Sequence, residues 1–276
     1  MPAPIVALLT DFGTADAYVA SMKGVTLGIC PDATIVDITH EIAPQNVPQG
    51  AFVLHTAHSS FPKGTIFVAV VDPGVGTQRR TLAVQTRDYR FVAPDNGLLT
   101  YLAREHLPQE APKEKLFAPY QAPMPPGWSA VALTRPTFWR QPVSATFHGR
   151  DIFAPVAAHL AQGVPLEELG KPATTLTVLH VPQPVRVGEM LKGIVLHVDR
   201  FGNLVTNVPA ALVDGKRVRV QVGTTTIKGL SATYGEGRGL VALVGSHGYL
   251  EVAMVGGSAA RTLGIGVGEG VEVGAG

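Results

Sequence analysis

The chain has 276 residues, 46% of them hydrophobic and only 16% charged, with a formal net charge of +1. That composition fills real cores and excludes a disordered tail, and its near-neutral balance argues against a nucleic-acid protein, which would carry a basic stripe. The length allows two modest domains or one large one.

Residues 4–10, PIVALLT, are a continuous apolar run that predicts a buried strand ending at Asp11. YVASMKGVTLGIC has helical spacing and stops at Pro31, and ATIVDIT reads as a second buried strand. PQGAFVLHTAHSS, residues 48–60, predicts a helix with Pro48 near its start. TIFVAVV is a third strand, TLAVQT and YRFVAP continue as strands, and NGLLTYLAREH returns to helix. Strands alternating with helices at this spacing imply a largely parallel sheet covered on both faces, which places ligands at the carboxyl ends of its strands. Asp11 and Asp72 both fall at such ends. Residues 107–142, proline-rich and aperiodic, read as a long loop, and FHGRDIFAPVAAHLAQG as a loop entering a helix with Pro155 in its first turn.

From about residue 180 the texture changes to short strands separated by glycine turns, with no clear helix: GIVLHVD, GNLVTNVP, RVRVQVG, TTTIKGL, GLVALVG and GYLEVAMV. The fold expected is therefore an N-terminal α/β domain over residues 1–180, Rossmann-like with a mostly parallel sheet, and a C-terminal all-β barrel over residues 181–276. Cys30 is the only cysteine, so neither an intrachain disulfide nor a thiolate metal cluster is available. No apolar stretch is long enough to span a bilayer, and MPAPIVALLTDFG lacks the basic start and long apolar segment of a signal peptide. These features make a cytoplasmic location, with no membrane or nucleic-acid partner, the expectation.

Several constellations carry potential chemistry. In LLTDFGTADAY, Asp11 and Asp16 follow a strand, where a carboxylate either accepts from a ribose diol or caps a turn. In VVDPGVGTQRR, Pro73 stiffens the chain after Asp72, Gly74 and Gly76 permit tight turns, and Arg79 can return to the carboxylate. That is the pattern of a reaction centre or of a structural ion pair. TFHGRD joins His148, Arg150 and Asp151 around a glycine, and a histidine is the natural proton carrier near neutral pH. VDRFGNLVTN offers Phe201 for stacking on a planar base and Asn203 for its edge, alongside Asp199. VGSHGYLEVAMVGGSAA supplies Ser246 and Glu251, with small residues such as Gly256 that let backbone approach a ligand. His55 and His58 share a helical spacing but lack a third ligand, so no metal is expected.

Taken together, LLTDFGTADAYVASMKG, ATIVDITHEIAPQNV, VVDPGVGTQRR, APDNGLLT, TFHGRDIFAPVAAHL, VDRFGNLVTN and SHGYLEVAMVGGSAA resemble one family. It is the S-adenosyl-L-methionine (SAM) hydroxide adenosyltransferases, or adenosine-forming SAM hydrolases, related to the SAM-dependent fluorinase and chlorinase. Seven motifs in order over residues 8–260 cover nearly the whole chain. The resemblance implies a homotrimer with SAM bound between one subunit's N-domain and a neighbour's C-domain, and no cofactor. It assigns Asp72, Arg79 and His148 as catalytic, Asp11 to the ribose, and Asp16, Asp199 and Ser246 to the methionine. Phe201 and Asn203 would flank the adenine, with Glu251 and Gly256 in the same binding region. The fluorinase has a tyrosine at the place of Asp72, a threonine at Val75 and a serine at Gly149. A carboxylate at 72 would repel a halide but polarise water. Two further departures from the fluorinase are His247 in place of an arginine and Gln45 in place of a tryptophan. The implied reaction is attack of water at ribose C5′, giving adenosine and L-methionine. A SAM-sensing module with negligible turnover and a halide adenosyltransferase are the alternatives.

Overall fold

The computed structural model describes residues 3–107, 115–213 and 217–276, and these fall into two compact units, Met1–His180 and Val181–Gly276. In the first unit the elements are β1 (Ile5–Thr10), α1 (Tyr18–Ile29), β2 (Thr34–Thr39), α2 (Val47–His58), β3 (Ile66–Val70), β4 (Thr81–Gln85), β5 (Arg90–Pro94), α3 (Thr100–Ala103), β6 (Pro119–Pro123), β7 (Ser129–Leu133), α4 (Ala154–Ala161), β8 (Gly170–Pro172) and β9 (Thr175–Leu179). Seven of the strands make one sheet in the order β2-β1-β3-β5-β4-β7-β8. β2, β1, β3 and β5 are parallel neighbours, and β4, β7 and β8 each pair antiparallel with the strand before them in the sheet. Five of the seven therefore run one way, β4 and β8 being the exceptions.

The all-buried β3, IFVAV, explains why its sequence does not alternate: helices cover both of its faces. α1 and α4 pack on one side, with Met22, Phe153, Val156 and Leu160 in the core against Val6, Val68 and Val70. α2 and α3 pack together, and α2 also lies on β1. α2 starts where Asn46 Oδ1 accepts the Gln49 N–H at 3.0 Å, with proline in its first turn.

Three expectations need correction. The span 107–142 is not one loop: β6 pairs antiparallel with β9 in a separate ribbon, and β7 joins the main sheet. Proline at both ends of β6 and the short lengths hid them, because an edge ribbon tolerates proline where a central strand does not. Residues 108–114 of that span lie outside the described ones. The helix predicted over NGLLTYLAREH is only α3 followed by a 3-10 turn at Arg104–His106.

The second unit contains β10 (Val185–Val187), β11 (Met190–Val198), β12 (Leu204–Pro209), β13 (Val218–Val222), β14 (Thr225–Lys228), β15 (Leu240–Val244), β16 (Tyr249–Met254), α5 (Ala259–Leu263) and β17 (Gly270–Ala275). Its strands run β14-β13-β17-β11-β12-β16-β15, all antiparallel, with β10 added on β11. The ends approach each other, since β14 contacts β15, so the sheet is a nearly closed barrel around Val195, Val208, Val220, Val252 and Val271. The third correction is α5, where the sequence showed no helix. Ser258 caps its start and Gly264, at φ 64°, ends it, so five residues suffice and no helical periodicity accumulates.

Candidate active site

The chain leaves β1 towards β2 on one side, while β3 pairs with β1 on the other, so the order of strand addition reverses between β1 and β3. Crevices at such reversals are where open α/β sheets bind ligands. Thr10 is level with Val70, which sets Asp11 and Asp72 at the ends of neighbouring strands, at that reversal.

Asp72 is clamped by Arg79. The Nε of Arg79 donates to Oδ1 at 2.7 Å, and a terminal nitrogen of the same guanidinium donates to Oδ2. The side chains are 5% and 10% exposed, so solvent screens the pair weakly. The same terminal nitrogen lies 3.0 Å from His148 Nδ1. Arginine only donates, so Nδ1 accepts and the imidazole carries its proton on Nε2. Burial, then the charge of Arg79, pulls the His148 pKa below its ordinary value, against smaller opposing fields from Asp72 and Asp151. His148 is accordingly neutral, with an N–H free to face a ligand.

Two glycines make this approach possible. Gly76 has φ 76°, and a Cβ there would lie 2.5 Å from the Ala145 carbonyl oxygen. The turn after β3 therefore closes directly on the segment that carries His148. At Gly149 a Cβ would meet Met22 Sδ at 3.1 Å and the rings of Phe12 and Phe147 at 3.3 Å each. Phe12, Tyr18 and Phe147 pack edge-on or tilted, with centroids 5.1–5.9 Å apart.

Asp11 lies beside this cluster, its Oδ2 accepting the Gln45 N–H at 2.7 Å. Gln45 takes φ 64°, a left-handed conformation, to aim that N–H. Asp16 is exposed in the turn before α1.

The other sequence-predicted residues belong to the second unit. Asp199 Oδ1 accepts the N–H groups of Phe201 at 2.9 Å and Asn203 at 2.8 Å, and its Oδ2 accepts Asn203 Nδ2 at 2.9 Å. This turn leaves the Phe201 ring 76% exposed, fit for stacking, while one amide hydrogen of the buried Asn203 is already used. Glu251 is buried, and both oxygens have partners within the unit: the Tyr234 hydroxyl at 2.8 Å and His247 Nε2 at 2.9 Å. Burial, then the bond to Glu251, raises the Tyr234 pKa to about 12, so the phenol stays protonated. Ser246 is exposed in the turn between β15 and β16, and Gly256, at φ 69°, is exposed after β16.

Sequence reasoning missed the Tyr234–Glu251–His247 chain, because a lone tyrosine in a glycine-rich loop carries no motif. It also gave Asp151 no role, although TFHGRD displayed it. That carboxylate is fully buried between Arg150, Arg140 and the Ser144 N–H. Among the described residues no group of three or more histidine, cysteine or acidic residues is placed to hold a metal ion.

Comparison with known proteins bears on this geometry. The family model for the SAM hydroxide adenosyltransferase N-terminal domain matches residues 6–170, and that for the C-terminal domain matches residues 193–272. The chain belongs to the SAM hydroxide adenosyltransferase family. It is 40% identical to the (R)-S-adenosyl-L-methionine hydrolase of Thermus thermophilus over 94% of this chain and 95% of that one. Its identity to the fluorinase of Nocardia brasiliensis is lower, 31%, over 91% of this chain and 90% of that one. A crystal structure of an uncharacterized conserved protein from Thermotoga maritima superimposes with a TM-score of 0.84 at 37% identity, covering 97% of this chain and 99% of that one. Family membership therefore extends through both units.

Proposed function

We propose that the chain hydrolyses SAM at ribose C5′, giving adenosine and L-methionine, with Asp72, Arg79 and His148 as the reacting set. The observation that carries this reading is the single guanidinium of Arg79 holding both the Asp72 carboxylate and His148 Nδ1, just beyond the end of β3. The water oxygen bonds to C5′ as the C5′–S bond breaks, and its electron pair neutralises the sulfonium, so the leaving thioether needs no acid. The demand falls on the nucleophile. The Nε2–H of His148 orients the water, and Asp72 takes the proton: Arg79 occupies two of its roughly four lone-pair sites, while Nδ1 of His148 is already engaged. Holding one water in line, shielded from bulk solvent, is the main source of rate, with proton transfer adding roughly 10² to 10⁴.

In this reading Asp11 binds the ribose, Asp16, Asp199 and Ser246 the methionine, and Phe201 and Asn203 the adenine. The lower identity to a fluorinase than to a SAM hydrolase supports water over halide. The relatives' name supports the (R) epimer at sulfur as substrate. The reading includes a homotrimer whose sites combine one subunit's first unit with a neighbour's second, needs no cofactor or metal, and places the protein in the cytoplasm. Incubation with SAM in ¹⁸O-labelled water tests it: the label appears in the 5′-hydroxyl of adenosine. Unlabelled adenosine, or 5′-chloro-5′-deoxyadenosine formed with added chloride, contradicts it. Asp72→Ala loses turnover while adenosine still binds by calorimetry.

A further inference from the structure

We propose that Asp151 is a positioning residue for this reaction, its buried carboxylate fixing the segment that presents His148 to Arg79. The inference rests on the proposed role of His148. Asp151 is fully buried, the third residue of the π-helical turn Gly149–Phe153 that runs directly into α4. Its carboxylate gathers the chain on both sides of His148. Oδ2 accepts the Ser144 backbone N–H at 2.8 Å and an Arg150 terminal nitrogen at 2.9 Å, while Oδ1 accepts Arg150 Nε at 2.7 Å and an Arg140 nitrogen at 3.3 Å. Its backbone adds two ties, accepting from Arg140 N at 2.9 Å and donating to Phe147 O at 3.2 Å. Residues 140, 144, 147 and 150 are thus all anchored to residue 151.

The same segment includes Ala145, against whose carbonyl Gly76 closes, so the loop bearing Asp72 and Arg79 is referenced to the Asp151 clamp as well. Burial alone would push the Asp151 pKa up; Arg150, the Ser144 N–H and Arg140 outweigh it and hold the carboxyl below its ordinary value, so it is anionic at neutral pH. A neutral amide cannot replace it, because every partner on its two oxygens is a donor. The groups whose charge acts on His148 are Arg79, Asp72 and Asp151, and removing the last leaves Arg79 less opposed.

The test is Asp151→Asn and Asp151→Glu beside the unaltered chain, with kcat and KM for SAM measured from pH 5 to 8. For Asp151→Asn, kcat falls about a hundredfold with KM changed less than threefold, as expected when a reacting group is displaced by about an ångström. The acid limb of kcat moves to lower pH, and Asp151→Glu recovers part of the loss. Unchanged kcat overturns the proposal, as does a loss with KM rising in step or with the acid limb unmoved. Where Asp151→Asn does not fold, Arg150→Gln carries the test, since it strips the bidentate partner but leaves the carboxylate; kcat falls at constant KM, and an unchanged kcat overturns the role. Absence of turnover in the unaltered chain would fault the assigned reaction rather than the clamp.

Discussion

The guanidinium of Arg79 donates to both oxygens of Asp72 and to His148 Nδ1, and a planar fork is what allows three such bonds at once. Lysine has the charge without the fork. Arg79→Lys is therefore expected to lower kcat by roughly 10² to 10³, comparable to removing one preorganised donor, while KM for SAM changes little; steady-state kinetics checks this. Gly76 answers a different demand at the same scale. Its φ of 76° and the 2.5 Å approach to Ala145 O leave no place for a methyl group. Gly76→Ala should cost about 1–3 kcal/mol in urea unfolding and, by displacing the loop, reduce kcat as well.

Single elements carry their own consequences. α2 begins with the Asn46 side chain on the Gln49 N–H, and its burial depends on Val47, Ala51, Phe52 and Leu54 facing inward. Asn46→Ala should lower stability by about 1 kcal/mol, read as a reduced thermal midpoint. The neighbouring Gln45 N–H is the one bound to Asp11, so the variant should also raise KM by loosening that tie. α4 shows why a motif and an element are different things. Pro155 lies in its first turn, yet the helical path starts earlier, in a π turn where the Ala154 N–H reaches back to Gly149 O. That wider turn carries Asp151 into the interior, a placement not visible in the spacing of TFHGRD.

At the scale of the molecule, half-buried histidines make stability depend on pH. Burial, then the charges of His58 and Arg104, lowers the His55 pKa from 6.5 to about 4, and burial lowers those of His148, His159 and His197. Between about pH 4 and 6.5 the unfolded chain binds more protons at His55 than the folded one, so stability rises with pH across that window and is lost as pH falls through it. Urea titrations at pH 4.5, 5.5 and 7 should show this, and His55→Gln should flatten the slope by at most about 1.4 kcal/mol per pH unit. The proposed assembly is checked by mixing. Asp72→Ala and Asp199→Ala chains, each inactive alone, should regain activity when co-refolded if sites join residues of two subunits; continued inactivity would assign each site to one chain.

Much of this is legible in the sequence. The apolar runs at 4–10 and around 66–70 and the change of texture near residue 180 depend on composition and period, and the seven ordered motifs on their resemblance to a known family, all of which the sequence alone carries. So does the Asp72–Arg79 pairing, because both partners lie on one short, glycine-bearing turn. Other features arose only from packing. β6 and β7 form because distant strands offer them ladders, through β9 and β4, not because their residues prefer extended structure. His148 meets Arg79 across 69 residues, Gln45 meets Asp11 across 34, and Glu251 turns inward onto Tyr234 and His247. Local sequence determines which backbone shapes are cheap, whereas a hydrogen bond between distant side chains exists only once the sheet has set their separation.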